Sequence, residues 1–165
     1  LALQRKDPGQ AERLYQESLA MCLEMDYRRG IGLSQHGLGQ AALMLNDLST
    51  TWERFVSALR LFVELMDPIE VSESLIGLAH TAQVGQAFEF AARLLGAVER
   101  IVEDQQMVVR GETRLELDQV VKDTQAGLGS RQYEQARLAG RGMSLEQVVA
   151  LVRTPPGMRP VDSLR

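Results

Sequence analysis

The sequence predicts an all-α fold of antiparallel helical hairpins, and three observations lead to this prediction. Leu and Ala, both strong helix formers, are abundant, whereas aromatic residues make up only 5% of the 165 residues. Apolar residues recur at three- and four-residue steps, which is the period of a helix face. The sequence also matches itself without a gap when it is shifted by forty residues. Such self-similarity is typical of stacked, repeated helix pairs.

The forty-residue repeat is visible as identical residues at equivalent positions. Many further pairs keep their character, so that an apolar or small residue in one copy is matched by a similar residue in the next. The identical pairs include Asp7–Asp47, Leu19–Leu59, Glu24–Glu64, Ser34–Ser74, Gly37–Gly77, Leu38–Leu78 and Ala42–Ala82. Because no gap is needed, duplication of one structural unit explains the match better than chance does.

Capping residues mark where the helices begin. Asp7 and Asp67 each precede a proline, which predicts an N-cap followed by a first-turn proline. Ser144 and Gln147 have the spacing of a capping box. We predict about eight helices, at residues 8–26, 29–45, 49–66, 68–84, 87–104, 112–128 and 130–139, with a last one after Ser144. Their connections are mostly short, so neighbouring helices are expected to be antiparallel.

The chain is predicted to contain three segments. Residues 1–104 hold about 2.5 units of the repeat, and residues 105–153 form a C-terminal helical cap packed on them. Residues 154–165 contain Pro155, Pro156 and Pro160, so they are expected to form a flexible tail or linker. The first residue is not Met, which suggests a piece of a longer protein.

Residues 38–48 resemble the first helix and turn of a tetratricopeptide (TPR) unit, in which a Leu-Gly pair lies in the first helix. The second helix carries a small residue and then a bulky one. Here these are Ala11, Thr51 and Ala91, followed by Tyr15, Phe55 and Leu95. The resemblance implies a right-handed superhelical stack of hairpins, although the period is forty residues here and about 34 in standard TPR units.

Four further strings resemble the C-terminal region of multidomain bacterial regulators. They are residues 14–22, 28–32, 91–99 and 140–151, and the resemblance extends over nearly all of residues 7–152. In that group a nucleotide-binding ATPase module precedes the repeats, and a LuxR-type or SARP-type DNA-binding domain, a kinase or a cyclase lies at one end. The resemblance implies a sensor or scaffold arm of such a signalling or transcription regulator.

TPR arrays bind partners on a concave surface lined by the first helices, and the resemblance carries this surface over by position. The candidate groove residues are Leu33, His36, Gln40, Met44, Glu73, Ile76, His80 and Gln83. The implied partner is a protein, a peptide or another domain of the same chain. The alternative is that these residues form only a solvated face.

No catalytic or cofactor motif accompanies these residues. The two histidines, His36 and His80, lack cysteine or carboxylate residues at metal-ligand spacing, and neither a phosphate-binding loop nor a hydrolase motif occurs. Gly37 and Gly39 are therefore predicted to permit close helix packing. Trp52 is expected to pack between helices. No cofactor or metal is expected, and an enzyme with a histidine base would require a closed cleft.

Charge and composition argue against two classes of function, nucleic-acid binding and membrane spanning. The net charge of −4 argues against nucleic-acid binding, and no apolar run reaches the roughly 18 residues that span a membrane. The single cysteine, Cys22, favours a reducing, cytoplasmic setting. The function expected is a non-catalytic protein-interaction or effector-sensing module. The alternatives are a structural spacer or a homodimerisation domain without a ligand.

Overall fold

The computed structural model describes residues 7–158, and this part of the chain is all-α with no strand. It contains eight helices, as predicted. They are α1 (Pro8–Glu24), α2 (Arg28–Met44), α3 (Leu48–Glu64), α4 (Pro68–Val84), α5 (Phe88–Asp104), α6 (Gly111–Leu128), α7 (Ser130–Arg141) and α8 (Leu145–Leu151). The architecture is a helical repeat, in which consecutive helices pack as hairpins, and it is compatible with a TPR-like array.

The first five helices each contain 17 residues and are separated by three-residue turns. After α1, the N–H of Tyr27 donates to the carbonyl of Cys22 (2.8 Å), and the N–H of Asp26 donates to that of Leu23 (3.2 Å). This is the Schellman helix ending, which requires one residue with positive φ. The same ending recurs every twenty residues, with positive φ at Asp26, Asn46, Met66, Gln86 and Gln106. Two helix–turn units therefore make one forty-residue repeat.

Side-chain caps start several helices, and the caps predicted from the sequence are confirmed. Asp7, Asp47 and Asp67 each accept a hydrogen bond from the backbone N–H three residues later, at 3.0, 3.1 and 3.3 Å. Ser144 and Gln147 form the reciprocal capping box before α8. Each cap of this kind contributes about 1 kcal/mol to helix stability.

The helices form two layers. Helices α2, α4 and α6 lie in contact in one layer, and α3 and α5 pack against them from the other layer. Since a residue forty positions later returns to the same layer, side chains at equivalent positions of α2 and α4 face the same side. This alternation determines which residues form a common surface.

Glycines at the helix contacts accept aromatic rings from the neighbouring helix. A Cβ added to Gly37 would lie 2.4 Å from the ring of Tyr15, and one added to Gly77 would lie 2.6 Å from the ring of Phe55. A Cβ added to Gly39, on α2, would also meet the ring of Phe55, at 3.0 Å. The predicted packing role of Gly37 and Gly39 is thus confirmed, and it lets adjacent helices approach closely.

The closest helix contact joins α5 and α7. A Cβ on Gly96 would lie 1.9 Å from the carbonyl oxygen of Arg137, and a Cβ on Gly140 would lie 1.8 Å from that of Arg93. The two backbones therefore touch, and neither position can hold a side chain. Around this glycine seam, Arg137 forms an ion pair with Glu99.

The C-terminal segment is tied to the repeats by Trp52. This side chain is 3% exposed, packs edge-on against Phe90 and donates its indole N–H to the carbonyl oxygen of Val152 (3.1 Å). The expectation that Trp52 packs between helices is confirmed. Residues 154–158 of the predicted tail contain no helix, and Met158 lies against Gly85. The remainder of that tail, residues 159–165, lies outside the described residues.

Replacing Met66 with glycine should raise the free energy of unfolding. Met66 has φ of +52° and is 86% exposed, so glycine removes backbone strain and loses little packing. We expect a gain of about 1 kcal/mol, because L-residues with side chains adopt this conformation at a cost of that order. Met21→Gly, inside α1, is the matched control and should lower stability by about 1 kcal/mol. Urea unfolding measures both, and a loss for Met66→Gly would contradict the assigned turn.

Adding one methyl group at the glycine seam should destabilise the packing of α7 on α5. Gly140→Ala places a Cβ on backbone atoms that cannot move aside alone, so we expect a loss of about 3 kcal/mol, the high end for overpacking. Gly142→Ala is the control, since its added Cβ meets its nearest atom at 3.5 Å. Thermal melting of the two variants tests the seam, and equal melting temperatures would refute it.

Candidate functional site

The eight groove residues predicted from the sequence lie on α2 and α4, in the layer completed by α6. We call the solvent-facing side of these three helices the α2–α4–α6 surface. Leu33 and Met44 are 37% and 44% exposed there. Gln40, Glu73, His80 and Gln83 are partly buried, whereas His36 and Ile76 are buried. Six of the eight side chains therefore reach solvent, and the other two lie beneath the surface.

His80 and Glu73 are both bound by side chains of α6. His80 Nδ1 lies 2.8 Å from Glu116 Oε1, and each of these side chains is 31% exposed. Thr113 donates its hydroxyl to Glu73 at 3.3 Å. Thr113 and Glu116 were not among the candidates, because the sequence assigned α6 to the C-terminal cap. The one available signal in the sequence was that Glu116 belongs to the polar side of the amphipathic helix predicted at residues 112–128.

His36 is part of the core and not of the exposed surface. It is 9% exposed, its ring packs edge-on to Phe55 at a centroid distance of 5.1 Å, and its Nδ1 has no partner within residues 7–158. Burial lowers the pKa of His36 to about 4, and the nearby charge of Glu116 opposes this shift. The imidazole is therefore neutral at neutral pH, and it supports the surface from below.

Acidic side chains extend along α4 from its first turn. Arg29, at the start of α2, binds Asp67 (3.1 Å) and Glu70 (2.9 Å) and so joins the first turns of α2 and α4. Burial raises the pKa of Glu73, an effect that Thr113 opposes through its hydrogen bond and that Glu116 increases. Burial also raises the pKa of Glu70, together with the charge of Glu73. Acidic side chains, two of them paired with Arg29, therefore lie next to the apolar residues of this surface.

A cavity of about 220 Å³ opens beside Glu73. It lies between α4 and the extended residues 107–110 that lead into α6, and its walls include Ile69, Ser72 and Ile76. Ile69 is 58% exposed at its edge. The cavity is large enough to hold one side chain of a bound partner.

The chemistry available on this surface is hydrogen bonding, ion pairing and apolar contact. Cys22 is buried in α1, where it packs against Gly30. Within residues 7–158, no group of three or more His, Cys, Asp or Glu side chains is placed so that it could hold a metal ion. Within the same range, no helix combines the length and the apolar character needed to cross a membrane.

Comparison with protein-family models, with curated proteins and with solved structures gives no match to this chain.

Stability should fall between pH 7 and pH 5 because of His36. The unfolded side chain has a pKa near 6.5 and the folded one a pKa of about 4, so the unfolded state takes up a proton first as the pH falls. Linkage then removes about 2 kcal/mol of stability between pH 7 and pH 5. His36→Leu should lack this component, whereas Gln40→Leu should keep it. Urea unfolding at pH 7 and pH 5 measures how much stability each protein loses between these pH values. An equal loss for all three proteins would contradict the burial of a neutral His36.

Proposed function

We propose that this chain is a non-catalytic module for protein interaction or effector sensing, and that its partner binds the α2–α4–α6 surface. The partner is a protein or peptide, or another domain of the same polypeptide. The observation that carries the proposal is the composition of this surface. Exposed apolar side chains, Leu33 and Met44, lie on the same layer as hydrogen-bonding groups, His80 and Glu73, that are held by a neighbouring helix.

Rigid support favours recognition over a merely solvated face. Side chains that are already ordered lose less conformational entropy when a partner binds. Glu73 and His80 are ordered by their bonds to Thr113 and Glu116, and the backbone beneath them is helical. Repeat proteins use surfaces of this kind, which extend across several units, to bind partners.

We further propose that the module is the regulatory arm of a bacterial signalling or transcription regulator that acts in the cytoplasm. The support is the resemblance of residues 14–22, 28–32, 91–99 and 140–151 to the C-terminal region of such regulators. In this arrangement the arm binds a partner or effector, and other domains of the protein carry the catalytic or DNA-binding activity.

A second candidate, homodimerisation, is favoured by the outer side of α1. Leu14 and Met21 on this helix are 49% and 56% exposed, Met25 directly after its last residue is 67% exposed, and the three recur at helical spacing. Exposed apolar side chains that form one stripe are common at interaction surfaces.

Photo-crosslinking in cells of the source organism tests the proposed surface. A benzophenone amino acid at Gln40 or Gln83 should give crosslinked products, whereas the same group at Arg60, on α3, should not. The double substitution Leu33→Asp and Met44→Asp should reduce the yield about tenfold, which corresponds to the loss of one well-buried apolar anchor.

Met21→Asp, on the exposed side of α1, is the matched control. It introduces one negative charge, against two in the double substitution, at an exposed apolar position outside the proposed surface, so the crosslinks at Gln40 should persist. Crosslinking that disappears with Met21→Asp and survives the double substitution would reject the α2–α4–α6 surface and support dimerisation through α1.

A further inference from the structure

A second candidate region lies on the other side of α6, between α5, α6 and α7. In the regular hairpins, consecutive helices pack closely along their length. By contrast, α7 packs mainly on α5 and only lightly on α6, so the α6/α7 hairpin is open. The opening is a cleft of about 620 Å³. Small-molecule sites commonly have volumes of about 300–1,000 Å³. We call this opening the α5–α6–α7 cleft.

The inner wall of the cleft is apolar. Leu95 and Val98 of α5 are 4% and 1% exposed, and Leu117 and Val121 of α6 line the opposite side. Tyr133 of α7 completes the wall and is 7% exposed. The cleft thus offers aliphatic surface and one aromatic ring.

The rim of the cleft is ionised, and carboxylates outnumber guanidinium groups. The lining contains four acidic residues, Glu99, Glu103, Asp118 and Glu134, and two basic ones, Arg114 and Arg137. Both bases are already bound by rim carboxylates: Arg114 by Asp118 at 2.9 Å, and Arg137 by Glu134 at 2.7 Å and also by Glu99. Arg141, which lies outside the lining, binds Glu103 at 2.5 Å and Glu99 at 3.4 Å. Four carboxylates are therefore paired with three guanidinium groups, an excess of one negative charge. An anion would have to displace these carboxylates, whereas a cation meets an excess of negative charge.

Tyr133 is neutral in this setting. Burial raises the pKa of its phenol, Arg137 opposes the shift, and the charges of Glu99 and Glu134 add to it. A neutral phenol ring next to carboxylates is a favourable neighbour for a cation, because the ring face carries negative electrostatic potential.

We propose that the α5–α6–α7 cleft binds a small lipophilic cation. The apolar body of the ligand would lie on Leu95, Val98 and Leu117, and its positive charge would face the Tyr133 ring and the rim carboxylates. The volume, the apolar wall, the aromatic ring and the acidic excess all favour this one class of ligand. The site uses the other side of α6 from the α2–α4–α6 surface, and residues 107–109 line both the cleft and the cavity beside Glu73. The proposal does not depend on the partner proposed to bind that surface.

Isothermal titration with two ions of the same shape and opposite charge tests the proposal. Tetraphenylphosphonium and tetraphenylborate differ in charge but hardly in size. The purified chain should bind the phosphonium ion about tenfold more tightly than the borate, because the rim carries excess negative charge. Equal affinities, tighter binding of the borate, or binding of neither ion at millimolar concentration would overturn the proposal.

Variants locate the binding in the cleft. Leu117→Trp fills the cleft and should abolish phosphonium binding, while circular dichroism and the melting curve confirm that the variant is folded. Tyr133→Leu removes the aromatic face and should weaken binding roughly fivefold, whereas Tyr133→Phe should bind as the parent does. A folded Leu117→Trp that still binds the phosphonium ion would place the ligand elsewhere and refute the proposal.

A charge-matched pair completes the test and remains informative if Leu117→Trp fails to fold. Glu103→Gln removes one rim charge from a side chain that is 54% exposed and paired with Arg141. The change also takes this partner from the Arg141 guanidinium, so it should weaken phosphonium binding roughly threefold. Glu53→Gln, which removes the same charge from the exposed side of α3, should leave the affinity unchanged. Equal effects of the two variants would show that net charge alone attracts the ion, and this would also overturn the proposal.

Discussion

Close approach of helix backbones is the constraint on which the rest of this structure depends. At several helix contacts, one helix carries glycine and the other supplies a ring or its own backbone. Phe55 packs against both Gly39 and Gly77 and thereby joins α3 to α2 and α4. The same principle reaches its limit at Gly96 and Gly140, where the backbones of α5 and α7 touch. A side chain at such a position must move a whole helix and not a single neighbouring group.

This constraint also produces the two candidate binding regions. Regular glycine-to-ring packing keeps α2, α4 and α6 in one layer, so that side chains forty residues apart share the α2–α4–α6 surface. The seam of Gly96 and Gly140 pulls α7 onto α5 and away from α6, which opens the α5–α6–α7 cleft.

The sequence predicted the helices, the repeat, several caps and the role of Gly37, because helical periodicity and capping chemistry are local. It did not predict the turns that recur every twenty residues. Glycine is the usual signal for such a turn, but the residue with positive φ is, for example, Met66 or Gln86. His36 was wrongly expected to be exposed, because burial depends on packing between layers. Glu116 was missed since residues 107–110 displace α6 from the forty-residue register.

The turns that recur every twenty residues restrict the insertions and deletions that such chains can accept during evolution. Insertion or loss of forty residues adds or removes a complete hairpin and leaves every other helix in its layer. Insertion or loss of twenty residues would exchange the two layers for the rest of the chain, so that buried rings such as Phe55 would face solvent. Homologous chains should therefore differ in length by whole hairpins, and the array can grow or shrink while the surface at its centre keeps its residues.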